Sequence, residues 1–102
     1  LVCCVMNMPG LFPLGHSVMT KGIKALLDDP QSSLDHADLM ACINRHKQGD
    51  DGDVYADDHK ANLQAIEQNL RVFSVYNVSS GTLWIITEAD RSSTTILLPE
   101  EY

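Results

Sequence analysis

Between Ile23 and Leu70 the apolar residues recur at spacings of three and four, and from Val72 onward they alternate or run together as β-branched and aromatic residues. The change of period at Arg71 divides the chain into a helix-forming part and a strand-forming part. Ahead of both, Leu11-Phe12-Pro13-Leu14-Gly15 reads as an apolar loop, because Pro13 and Gly15 oppose a helix, and residues 16–20 read as a short extended piece. Thr20 is placed to cap a first helix over residues 22–28, with Ile23, Leu26 and Leu27 on one side and Asp29-Pro30 as its stop. Ser32 and Asp35 have the spacing of a capping box for a second helix that ends near Lys47, with Leu34, Ala37, Met40, Ala41 and Ile43 as the expected buried stripe.

Residues 49–53 read as a polar, turn-rich linker. Asp57 or Asp58 then caps a third helix reaching Leu70, with Leu63, Ile66 and Leu70 facing inward. Beyond Arg71 three strands are expected: Val72 to Val78, a turn at Ser79-Ser80-Gly81, Leu83 to Thr87, a second turn over residues 89–92, and Thr94 to Leu98, with Pro99 closing the last strand at a sheet edge. The expected fold class is therefore α+β: three short helices packed on a C-terminal three-stranded antiparallel meander, with one extra short N-terminal strand as an option.

At 102 residues, 44% hydrophobic and 21% charged, the chain suits a single domain over residues 11–102 with a real core. Residues 1–10 are apolar but carry no basic start, and Pro9-Gly10 end them far short of a membrane span, so they are expected to be a poorly ordered extension, with the natural start at Met6 or Met8. The net charge of −7 argues against direct binding to a nucleic-acid backbone. Cys3, Cys4 and Cys42 are odd in number and two are adjacent, which describes no disulfide framework and fits a reducing, cytoplasmic setting.

The segments Leu11-Phe12-Pro13-Leu14-Gly15, Arg45-His46 with Gly49-Asp50, and Trp84-Ile85-Ile86-Thr87-Glu88-Ala89-Asp90-Arg91 with Thr94-Thr95-Ile96-Leu97-Leu98-Pro99-Glu100-Glu101-Tyr102 carry a resemblance. Taken together, they resemble a family of short uncharacterised bacterial proteins carried on plasmids and other mobile elements. The likeness covers most of the chain from Leu11 onward, and it departs at Asp51, where the family usually has an aromatic residue. The resemblance implies a genetic context and no activity, cofactor or site residue.

Candidate chemistry has to be read from the residues themselves. His46, Asp50, Asp58 and Asn62 sit at a helix end, a linker and the next helix start, and a histidine beside a carboxylate is the minimal general-base arrangement; the same residues also serve to brace exposed helix ends. Glu88, Asp90 and Arg91 cluster in the last turn, either as turn bracing or, if that turn lies beside His46, as one side of a binding pocket. Trp84 and Tyr76 are core residues or the apolar wall of such a surface. Cys42 and His46 are four apart on one helix face, and Cys3 and Cys4 would have to complete a metal site; without a recognised ligand motif, no metal and no cofactor is expected. The aspartates over residues 50–58 fail the EF-hand pattern, since Tyr55 occupies a ligand position.

No nucleophile elbow, phosphate loop or dinucleotide motif is present. The leading expectation is a noncatalytic mobile-element accessory protein that binds an unknown protein partner, touches no membrane and forms a homodimer if the last strand lies at an edge. The alternative is a small enzyme or small-molecule binder built on the His/Asp pocket. A third is an acidic inhibitor of a DNA-binding protein.

Overall fold

The computed structural model describes residues 11–78 and 81–102. The expected extension over residues 1–10 and the turn at Ser79-Ser80 lie outside the described residues. The elements follow in the order β1 (His16–Met19), α1 (Lys21–Asp28), α2 (His36–Lys47), α3 (Ala56–Gln68), β2 (Val72–Val78), β3 (Gly81–Thr87), β4 (Ser93–Leu97) and a C-terminal 3-10 turn, Pro99–Glu101. The fold is α+β, as the change of period indicates.

The sheet is four-stranded and mixed, in the order β1-β4-β3-β2, which corrects the three-stranded antiparallel expectation. The antiparallel meander β2-β3-β4 is present, and β1 adds to it in parallel, with His16 beside Ser93 and Met19 beside Ile96. Consequently β4 is an interior strand, and Pro99 does not end a sheet edge. Among the described residues the free edge is β1, whose four residues are all exposed. At the opposite side the linker is no solvated loop: Asp51 accepts from Val75 N at 3.0 Å, Asp53 N donates to Val75 O at 2.7 Å, and Gly52 makes a parallel bridge to Val75. Gly52 has φ +73°, and a Cβ there would lie 2.1 Å from Val75 O, so the approach of linker to strand requires glycine.

All three helices cover one face of the sheet. In α1, Ile23 is fully buried, a burial that contributes about 2–3 kcal/mol. The Thr20 side chain does not cap this helix. Its hydroxyl donates to Glu101, whose other carboxylate oxygen accepts from Gly22 N at 3.0 Å, so the chain's C-terminal turn supplies the cap. The α2 capping box is Asp35 with Asp38 rather than Ser32 with Asp35. Its buried stripe is Leu39, Cys42 and His46 with Ile43 half-buried, whereas Ala37, Met40 and Ala41 are exposed, contrary to the expected stripe. In α3 the N-cap is Tyr55 with no side-chain bond, Asp57 and Asp58 lie in the first turn, and the buried positions are Asn62 and Ala65, while Leu63 and Leu70 are exposed.

The inner sheet face carries two apolar clusters. Ile23, Leu34, Leu39, Cys42, Tyr76, Leu83, Ile85 and Ile96 form the larger, and Phe12, Ala65 and Val72 the smaller. Between them runs a polar seam of His46, Ser74, Thr87 and Thr94, all buried.

Candidate functional site

His46 is only 1% exposed, and each of its ring nitrogens faces a hydroxyl: Nδ1 meets Ser74 Oγ at 2.5 Å and Nε2 meets Thr87 Oγ1 at 2.8 Å. Thr87 Oγ1 lies 2.7 Å from Thr94 Oγ1, and the Thr94 hydroxyl donates to Leu14 O at 2.7 Å. A hydroxyl has one hydrogen, so the directions follow in sequence. Thr94 uses its hydrogen on Leu14 and therefore accepts from Thr87; Thr87 in turn accepts from His46 Nε2–H; Nδ1 is left bare and accepts from Ser74. The seam thus fixes a neutral imidazole in its Nε2–H tautomer. Burial, then the Arg91 charge, push the His46 pKa down to about 4, with Asp51 acting weakly in the other direction.

The other members of the expected general-base set do not join this histidine. Asp50 is held by Arg45, with Nε at 2.8 Å and Nη2 at 3.3 Å, and that guanidinium holds its carboxyl below the usual range. Asp58 is exposed in the first turn of α3. Asn62 is buried and reads the β2 backbone as a strand would, accepting from Phe73 N at 3.0 Å and donating to Phe73 O, while also donating to Asp51 at 2.8 Å. Asp51, 5% exposed, also holds His59 Nδ1 at 2.9 Å. Asp51, His59, Ser74, Thr87 and Thr94 are the polar residues missed in the sequence.

Arg91 donates to Ala65 O at 2.9 Å, Leu70 O at 2.6 Å and Glu88 O at 3.2 Å, so it caps the C-terminal end of α3 and closes its own turn in a left-handed conformation, φ +60°. Its guanidinium stacks 5.2 Å from the Phe12 ring, whose edge meets His46 at 5.3 Å. The turn therefore does lie beside His46, but Phe12 fills the space between them. Asp90 accepts from Ser92 N and Oγ, and Glu88 lies 3.6 Å from Arg71. Tyr76 is core, with its hydroxyl donating to Asp50 O. Cys42 is a free buried thiol whose pKa is raised by burial, and Cys3 and Cys4 lie outside the described residues. Among the described residues no group of three or more His, Cys, Asp and Glu side chains is placed to hold a metal ion.

A second arrangement is more open. The outer sheet face, which no described helix covers, carries exposed Val18 on β1, Thr95 and buried Leu97 on β4, Trp84 and buried Ile86 on β3, and Phe73 and Val75 on β2. A cleft of about 270 Å³ is lined there by Arg71, Phe73, Trp84, Ile86 and Tyr102. Trp84 stands edge-on to Phe73 at 5.0 Å and to Tyr102 at 5.5 Å; Tyr102 itself is 69% exposed and its hydroxyl accepts from Arg71 at 2.9 Å. All four strands lack Asp, Glu, Lys and Arg in a chain that is 21% charged. A sheet face turned to water ordinarily carries such residues, whereas sheets buried on both faces read as apolar runs like Leu83-Trp84-Ile85-Ile86. Of the sequence candidates, Trp84 alone belongs to this face. Phe73 and Ile86 were legible through the same charge-free runs, whereas Tyr102 follows Glu100 and Glu101 outside the strands.

Among the described residues no helix is long and apolar enough to cross a membrane. Comparison of the chain with protein-family models, with curated proteins and with solved structures finds no match.

Proposed function

We propose that this chain is a noncatalytic accessory protein, of the mobile-element kind its motifs resemble, that acts by binding another polypeptide through the outer face of its sheet. The observation that carries the proposal is the charge-free outer face with its aromatic cleft at Trp84, where Val18 and Tyr102 are exposed and Phe73, Val75 and Trp84 are half-buried, since an apolar cleft of this kind on an otherwise acidic chain marks a contact site. Support also comes from the inner face. The one buried histidine has both ring nitrogens engaged by hydroxyls, which suits it to the role of a brace.

The test is photo-crosslinking in cells with a benzophenone amino acid at Val75, on the outer face, and at Ala61, exposed on α3. Adducts with another polypeptide chain are expected from position 75 and not from 61. Equal labelling from both positions, or no interchain adduct from 75, overturns the proposal.

A further inference from the structure

The identity of the polypeptide on that face can be taken one step further, a step that rests on the protein-binding proposal. We infer that the outer face is covered by a second copy of this chain, packed face to face across a two-fold axis that runs parallel to the strands between β3 and β4.

Charge is the first reason. A net charge of −7 makes two copies repel wherever their ordinary surfaces meet. The outer face is the surface on which this repulsion has no local source, because its strands carry no charged side chain. Arg71, the charged residue that lines the cleft, lies 3.6 Å from Glu88, so its charge is offset locally. A neutral, apolar face is compatible with itself, as an isologous interface requires.

Shape is the second. Val18, Thr95, Ile86 and Phe73 stand side by side in one row across the four strands. Bulk rises along that row from β1 and β4, which bear Val18 and Thr95, to β2 and β3, where Phe73, Trp84 and Tyr102 stand and the cleft opens. The proposed axis reverses the strand order of one copy over the other. It lays β1 on β2 and β4 on β3, so the low half of each face meets the high half of its mate. Val18, 49% exposed, then comes against Phe73 and the cleft, and Thr95 against Ile86. Sheets packed in this way lie about 10 Å apart with their strands within about 30° of each other.

Area is the third. Four strands at a spacing of about 4.8 Å and a shared length of about five residues give a face of roughly 19 by 17 Å, about 320 Å² in plan per copy. Two such faces fall below the roughly 1,200 Å² of standard specific interfaces, which fits a weak, reversible dimer.

Sedimentation equilibrium of the full chain tests this, with wild type beside Val18→Glu and Thr95→Glu, each checked for native circular dichroism. Wild type should be dimeric at about 200 µM, and either variant should weaken association at least about a hundredfold, because an unpaired carboxylate would enter a dry contact. A monomeric wild type, or dimers that persist in both folded variants, overturns the inference. Should a variant not fold, mixed-isotope NMR of wild type decides. Within one copy Val18 and Phe73 lie three strand spacings apart, about 14 Å, so a nuclear Overhauser effect between them has to cross the interface. A dimer that lacks this contact also overturns the inference. A monomer whose Val75 benzophenone joins a different polypeptide overturns self-association and leaves the protein-binding proposal standing; a monomer with no interchain adduct removes both.

Discussion

Acidification should loosen this fold through His46 well before its carboxylates respond. In the folded chain the imidazole titrates at about 4, against 6.5 for the free group, because burial and then Arg91 disfavour its charged form. The unfolded chain therefore binds a proton at this site between pH 6.5 and 4 while the folded chain does not. Stability falls as pH falls through that window, at about 1.4 kcal/mol per pH unit, and the whole displacement amounts to about 3 kcal/mol. Asp50, Asp90 and Glu101, whose carboxyls are held below their usual range by Arg45, Ser92 and Thr20 respectively, also lose stability on acidification, but in the carboxylate range below about pH 4.5. The interval from pH 6.5 to 5 consequently isolates the histidine, and His16, His36 and His59 cancel when the protein is compared with a His46→Gln variant.

Urea denaturation followed by circular dichroism should show wild type losing about 2 kcal/mol more than His46→Gln across that interval. His46→Gln should be less stable at pH 7, since its amide cannot meet both Ser74 and Thr87 as the ring does, and its stability should fall less steeply than that of wild type from pH 6.5 to 5. In NMR the His46 ring of wild type should keep its Nε2–H signature through pH 5. Equal slopes for the two proteins, or a His46 resonance that titrates near 6.5, would refute the claim that the seam holds the ring neutral.

Two further substitutions probe the scaffold. Asn62→Ala removes three side-chain bonds, two to the Phe73 backbone and one to Asp51, and should cost about 2–4 kcal/mol in urea denaturation, with faster amide exchange at Phe73; a cost under about 0.5 kcal/mol would show that α3 is not tied to β2 through this amide. Glu101→Gln should raise the exchange rate of the Gly22 amide and remove part of the acid-range stability loss, because a carboxyl with a depressed pKa stabilises above its unfolded value and that contribution disappears as pH falls; unchanged Gly22 exchange would show that α1 is capped otherwise.

The positions at which sequence pattern misled are polar residues standing where an apolar one was expected. The inward stripe of α2, Leu39-Cys42-Ile43-His46, has regular helical spacing, but a histidine closes it, so Ala37, Met40 and Ala41 looked the better set. In α3 the inward position is Asn62 instead of Leu63. Both burials depend on partners far along the chain, Ser74 and Thr87 for His46 and the Phe73 backbone for Asn62, and no local pattern reveals such partners. The polar set at His46, Asp50, Asp58 and Asn62 reads in the sequence either as a general-base site or as bracing of helix ends, and the structure distributes it over separate structural tasks.

Local chemistry, which acts over a few residues, set the three helices, the meander of the last thirty residues and the stop at Pro30. The absence of Asp, Glu, Lys and Arg from all four strands is likewise a property of the sequence. Tertiary structure alone decided that β1 joins β4 in parallel, that residues 51–53 line the edge of β2, and that Glu101 caps α1. Each of these is a contact between segments distant in sequence, fixed by which buried surfaces and hydrogen-bonding groups the folded chain brings together, and not by the preferences of any segment taken alone.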